Sequence, residues 1–211
     1  MTSLGSQQEL AALKTTYFAR SIPRALAFVV ALFASIAPGP LFAGPTAPPE
    51  AAIAPEKNPP GDIPDDQVFI TYKSPNGFSL KVPEGWSRKD APESVSFADK
   101  YGTIDVAVKA SSATPTVASV RAGEAAELEK TGHAVKIASV KEVKLASGPA
   151  IQIIYSSNSD SNPVTNKRIR LENERYLMSH AGKLAAVTFS APMGADNADQ
   201  WKLMSNSFSW N

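Results

Sequence analysis

No cysteine occurs among the 211 residues. That excludes a disulfide framework, a thiolate metal site and a lipid-modified cysteine at a mature N-terminus. Histidine is nearly as scarce, with two residues, His133 and His180, both at expected turns. A nucleophile needs a base and the base an orienting partner, so the usual serine or cysteine hydrolase constellations lack visible parts, and there is no G-x-S-x-G elbow. No phosphate-cradling glycine loop or dinucleotide fingerprint is present. His133 is expected to be a solvated loop residue, because no second His, Cys or carboxylate stands at metal-site spacing. No catalytic, cofactor-binding or metal-binding residue is assigned, no cofactor is implied, and the chain is read as not an enzyme.

Long hydrophobic runs are also missing. The longest, Ala25–Ala37 (ALAFVVALFASIA), follows Lys14, Arg20 and Arg24 and runs directly into Pro38-Gly39-Pro40. It is shorter than the roughly 20 residues that span a bilayer, so residues 1–43 are read as a signal peptide cleaved near Ala43, with an uncleaved anchor as the alternative. Removing them takes three of the 21 Lys and Arg and one of the 20 Asp and Glu, leaving a net charge near −1. A domain so close to neutrality has no electrostatic reason to seek nucleic acid or an anionic membrane surface. Membrane contact is expected only through a retained signal, and the location is read as periplasmic or secreted.

Residues 44–67 contain seven prolines and almost no large apolar side chain. Such a segment cannot bury enough surface to offset its ordering, so it is expected to be an extended linker, a spacer or less readily a docking segment. Composition changes at Val68, where one domain, 68–211, begins.

The domain is organised around Thr71–Trp86. Ser74-Pro75-Asn76-Gly77 is reversing-turn chemistry, and Phe78, Leu80 and Val82 alternate with Ser79 and Lys81 as in a half-buried strand. Before the turn, Val68, Ile70 and Tyr72 share a face, with Phe69 on the other. Trp86 is read as a core plug. A second hairpin pairs Val95–Phe97 with Ile104–Val108 across Asp99–Gly102. Thr114-Pro115-Thr116 opens a helix carrying Val117, Val120, Ala125 and Leu128 on one side and closing at Gly132. Arg121, Glu124, Glu127 and Lys130 are expected on its water side. Further strands are expected at Val140–Leu145, Ala150–Tyr155, Arg168–Met178 and Leu184–Ser190, the last two joined by a tight turn at His180–Gly182. A short helix capped by Asp or Asn follows, with Trp201, Met204 and Phe208 facing inward, and the chain ends in a last strand or anchoring tail.

Three polar features lack an obvious core role. Arg168, Arg170, Glu172 and Glu174 share one parity and are read as an exposed charge ladder. Asn173 interrupts the apolar parity, which a bulge or a helix-facing polar site would explain. Ser156–Asn166 is a long polar connection, either flexible or functional. The carboxylate pairs Asp65-Asp66, Asp90 with Glu93, and Asp196 with Asp199 are explained as linker solubility, a turn and a helix cap.

Several stretches carry a resemblance: YKSPNGFSLKVPEGW, VSFAD followed by IDVAV, TPTVASVRAGEAAELEK, and VTFSAP with ADNADQWKLMSNSF. Together they resemble the PsbP family, the extrinsic photosystem II proteins, and more closely its secreted bacterial relatives outside photosynthesis. The likeness spans roughly Ile70–Trp210. It implies an α+β fold, a PsbP-like α/β/α sandwich with a central antiparallel sheet flanked by helices. In photosynthetic members the family's role is non-catalytic, docking on the photosystem and helping to retain calcium and chloride. No metal-binding or docking residue is matched to a position here, and the Pro-rich segment differs from those members' basic docking arm. The expected function is therefore an exported, non-enzymatic binding or assembly-assisting protein with an unknown protein partner in the cell envelope. The alternatives are a small-ligand carrier with an aromatic-lined pocket between sheet and helix, and a hydrolase bringing His133 or His180 to a carboxylate and a hydroxyl.

Overall fold

A computed structural model describes residues 50–211. The expected signal peptide, residues 1–43, lies outside the described residues. Ten strands and two helical regions follow one another: β1 (Phe69–Ser74), β2 (Phe78–Pro83), β3 (Ser87–Ala91), β4 (Ser94–Ala98), β5 (Thr103–Ala110), α1 (Val117–Val120), a π-helical turn (Arg121–Ala125), α2 (Ala126–Thr131), β6 (Lys136–Leu145), β7 (Gly148–Asn158), β8 (Arg170–His180), β9 (Lys183–Pro192), α3 (Ala198–Ser207) and β10 (Ser209–Trp210). They form a seven-stranded sheet, ordered β3-β4-β5-β9-β8-β7-β6, and a three-stranded sheet, ordered β1-β2-β10. Among the described residues every pairing is antiparallel.

Each face of the large sheet is covered differently. On the inner face, Ile104, Val106 and Phe189 pack against Leu80 of β2 and against Trp201 and Met204 of α3. The small sheet and α3 share that cover, so the architecture is more sheet-dominated than a helix-flanked sandwich. On the outer face, Val120 and Ala125 seat the helical segments on Val140, Ile151, Ile153 and Leu177.

The first hairpin turns as its chemistry requires. The Gly77 amide donates to the Ser74 carbonyl at 3.1 Å, and Gly77 takes φ +88°. Its β1 arm differs from expectation: Val68 and Ile70 stay 58% and 48% exposed, whereas Phe69 and Tyr72 pack against the core. β1 is the edge strand of the small sheet, and its Ile70 side chain stays out of the core. β3 carries no apolar alternation that would mark it in the sequence; it is an edge strand of the large sheet, and all five of its residues are exposed.

The helix begins later than the Thr114-Pro115 signal suggests. Thr116 is the N-cap, joined reciprocally to Ser119 in a capping box. The π turn then inserts an extra residue into the helical phase. Consequently Glu124, expected on the water side, turns toward the sheet, while Arg121 stays exposed as expected and reaches only a strand carbonyl. Arg121 Nη2 donates to the Val140 carbonyl at 3.3 Å, and Glu124 pairs with Arg175 at 2.5 Å. Gly132 does close the helix, but with φ −84°. Its smallness is what matters, since a Cβ would lie 2.7 Å from the Leu128 carbonyl oxygen.

Residues 51–67 hold no helix or strand, yet they are tied down at two points. At one, the Ile63 amide donates to Asn197 Oδ1 at 2.7 Å and Asn197 Nδ2 donates to the Gly61 carbonyl at 3.0 Å. Asn197 is the N-cap of α3 but makes no capping bond with its side chain; that side chain serves the strap instead. Ile63 itself is buried in the core. The other anchor is the candidate site.

Candidate functional site

β7 ends at Asn158 and β8 begins at Arg170, and these two residues are register partners. The connection between them is more ordered than its polar composition suggests. Asn162 organises it: its Oδ1 accepts from the amides of Val164 and Thr165, both at 2.9 Å, and its backbone pairs with Lys167. Ser159 closes the base, accepting from the Ile169 amide through its hydroxyl at 3.0 Å.

The expected charge ladder is not a solvated face. Register places Arg170, Glu172, Glu174 and Tyr176 on the parity of Met178, which belongs to the inner core. A single strand's parity cannot reveal which face is covered, and here the covered face carries the charges. Arg170 is 5% exposed and donates to three neutral acceptors: the Ala134 carbonyl at 2.8 Å, Asn158 Oδ1 at 3.0 Å and Ser156 Oγ at 2.5 Å. Burial pulls its pKa down. Among the described residues no carboxylate lies within ion-pair distance of it. Further along, Tyr176 and Gln152 both donate to Glu174 Oε2, at 2.6 and 3.1 Å. Burial, chiefly, raises the pKa values of Tyr176 and Glu172, and carboxylates add to it: Glu174 at both, Asp196 at Glu172.

Asn173 is buried on the other face of the sheet, where its side chain bonds to the neighbouring strands. Its Oδ1 accepts from Ser190 at 2.6 Å and its Nδ2 donates to Ser157 at 3.1 Å. No register shift occurs there; the sheet's irregularity lies between Ile137 and Ser139.

At the mouth of the β7–β8 connection four ionisable side chains meet. Glu50 Oε1 accepts from Arg168 Nη1 at 2.7 Å and from Asn158 Nδ2 at 2.8 Å, while Glu50 Oε2 lies 2.7 Å from His133 Nδ1. His133 Nε2 faces Asp160 at 3.3 Å. His133 Nδ1 is also 2.6 Å from Arg168 Nη1, so a proton on that nitrogen directs its bond to Glu50 and a bare nitrogen accepts from Arg168. The hydrogen bond from Asn158, then that to His133, hold the Glu50 carboxyl well below its ordinary 4.5, at about 2. Asn158 does more than hold the carboxylate. Its Nδ2 donates to the Ala51 carbonyl at 2.9 Å and its Oδ1 accepts from the Ile53 amide at 3.0 Å.

Thus His133 is a turn residue, as expected, but one that meets two carboxylates and an arginine. The sequence spacing concealed this, because Glu50 lies 83 residues before it. Hydrolytic chemistry would need a hydroxyl on its imidazole. The nearby hydroxyls are engaged elsewhere, Ser161 with Arg168 Nε, Ser156 with Arg170, and Ser159 with the Ile169 amide and the Asp160 carbonyl. Among the described residues no group of three or more His, Asp or Glu is placed to hold a metal ion. His180 stacks on Trp210 at 5.9 Å. Asp90 pairs with Arg88, and Asp65 accepts from Gln200.

Where the helical segment meets the large sheet, hollows of about 280 and 160 Å³ are lined by Val117 and Ile151 and by Val120, Glu124, Leu177 and Leu184; no aromatic side chain lines either, and the aromatic-lined hollow lies elsewhere. A hollow of about 380 Å³ opens between the β1–β2 and β3–β4 hairpins, lined by Ile70, Tyr72, Trp86, Arg88 and Phe97. Trp86 is therefore half-buried against the core and also walls this hollow.

No protein-family model matches the chain, and no curated protein matches it. Solved structures do. The solution structure of cyanobacterial PsbP (CyanoP) from Synechocystis sp. PCC 6803 is similar over 72% of this chain and 98% of its own, at 13% identity and a TM-score of 0.50. LpqN of Mycobacterium tuberculosis, described as involved in cell envelope biogenesis, is similar over 68% of this chain and 90% of its own, at 14% identity and a TM-score of 0.43. From the CyanoP likeness, the fold of this chain is PsbP-like.

Proposed function

We propose that this chain is an exported, non-enzymatic binding or assembly-assisting protein of the PsbP-like type, acting on a protein partner in the cell envelope. One observation carries the reading: the polar groups gathered around the β7–β8 connection are engaged with polypeptide, the chain's own Glu50–Ile53, through both its carboxylate and its backbone. A photo-crosslinking residue placed within Ser156–Asn166 in intact cells tests it. The expected result is one specific envelope protein trapped. A chain that stays in the cytosol, or crosslinks from that loop that trap nothing above background, would overturn it.

The hollow walled by Tyr72, Trp86 and Phe97 favours a second reading, a carrier of a small apolar ligand. Its position differs from the sheet–helix interface first expected. Trp86 fluorescence during titration with apolar dyes tests this, and a spectrum unmoved by every ligand would remove it.

A further inference from the structure

We propose that Asn158, Arg168 and His133 form a binding site for an extended acidic peptide supplied by a partner, and that Glu50–Ile53 occupies it as an intramolecular stand-in. The proposal rests on the binding reading above and adds the site and the chemistry of its partner.

The Asn158 side chain addresses a backbone in both directions. It donates to the Ala51 carbonyl and accepts from the Ile53 amide, which an extended segment of nearly any sequence satisfies. Selectivity comes from the residue before that pair. Its carboxylate meets Arg168, the Asn158 amide and His133 at 2.7 to 2.8 Å, and Arg170, buried behind them without a carboxylate, adds positive field. A carboxylate followed by extended backbone is what this geometry takes.

The receiving side is built without the strap. Arg170 fixes Asn158 Oδ1 and, through the Ala134 carbonyl, the turn that carries His133. The Asn158 backbone N–H donates to the His133 carbonyl at 2.7 Å, and Ser161 holds Arg168 Nε at 2.9 Å. The occupant is held lightly by comparison. Residues 50–58 are all exposed and form no helix or strand. The second anchor, at Asn197, secures Gly61 and Ile63 independently, so the first can empty while the strap stays attached.

A tethered occupant competes at an effective concentration on the order of millimolar, so a free peptide with an intrinsic Kd of about 100 µM binds about tenfold more weakly than the empty site allows. The experiment is fluorescence anisotropy with the full chain and a labelled, amidated peptide of residues 47–55, whose one carboxylate is the Glu50 equivalent. Glu50→Gln in the chain is expected to tighten binding of this peptide about tenfold. A Gln-containing peptide is expected to bind at least tenfold more weakly than the Glu peptide, and Arg168→Gln in the chain to erase that preference. Acetate at millimolar concentration is expected to leave the peptide bound. Equal binding of Glu and Gln peptides, no gain on Glu50→Gln, or displacement by acetate would overturn the proposal. The Glu-to-Gln peptide comparison alters nothing in the protein, so a variant that fails to fold leaves the test intact. Crosslinks from the loop to a partner alongside equal Glu and Gln binding remove only the acidic-peptide site. Peptide selectivity without any cellular crosslink removes only the envelope-partner reading.

Discussion

Arg170 donates to Asn158 Oδ1 at 3.0 Å, and this bond determines which way the Asn158 amide points. Oδ1 also accepts from the Ile53 amide. A flipped amide would set its NH2 group against two donors, so Nδ2 must face Glu50 and the Ala51 carbonyl. A buried arginine on one strand thereby orients the group that grips a segment more than 100 residues earlier in the chain.

Asn158→Asp separates the two roles of that side chain. The carboxylate still accepts from Arg170, but it loses both donations and repels Glu50. Protease cleavage within residues 51–60 is expected to accelerate about tenfold, the order of effect of losing a charge-assisted hydrogen bond. Circular dichroism of the body should stay unchanged.

Docking of the strap end should respond to acid. The Glu50 pKa falls from 4.5 to about 2 on docking, so this group's contribution is complete above pH 4.5 and is lost as pH falls toward 2. His133, Asp160, Arg168 and Arg170 surround it. The Ile53 amide resonance, followed by NMR from pH 6 to pH 2, is expected to shift toward its unstructured position within that window.

Asn197→Ala should destabilise the body. Asn197 is 2% exposed and satisfies the Ile63 amide and the Gly61 carbonyl. Leaving them unpaired costs about 1–3 kcal/mol, or a fall in Tm of about 2–12 °C for a domain of this size. Calorimetry checks this. Asn197→Asp retains the acceptor for Ile63 and is expected to lose less.

Glu172→Gln should stabilise the protein near neutral pH. Burial raises the Glu172 pKa, with Glu174 and Asp196 adding repulsion, so the charged form is disfavoured in the folded state. That cost is present above the folded pKa and vanishes below the unfolded value. Urea midpoints of the two proteins are expected to differ at pH 8 and converge at pH 4.

Ala181→Asn should also stabilise. The β8–β9 hairpin closes through Ala181 and Gly182 at φ +45° and +76°, the pattern of a type I′ turn. Alanine carries a left-handed penalty of about 1 kcal/mol that asparagine reduces, so a gain of about 0.5 kcal/mol is expected in urea melts with an unchanged slope.

Local chemistry determined much of this protein. The hairpin turns, the alternation of β2, β4 and β5, the helix over Val117–Thr131 and the inward Trp201 and Met204 follow from side-chain period and turn residues, because each involves neighbours a few positions apart. The PsbP-like fold was legible as a resemblance of turns and core aromatics. Tertiary structure decided the rest. Parity places Arg170, Glu172 and Glu174 together, but which face of the sheet is covered depends on β2 and α3, which lie far away in sequence. The π turn brings Glu124 to Arg175 by shifting helical phase, a contact worth making only over this particular sheet. The strap's composition promises no core of its own, and only Ile63 enters that of the domain; hydrogen bonds to Asn158 and Asn197 hold the strap, and no pattern in residues 50–67 announces partners that fold into place a hundred residues later.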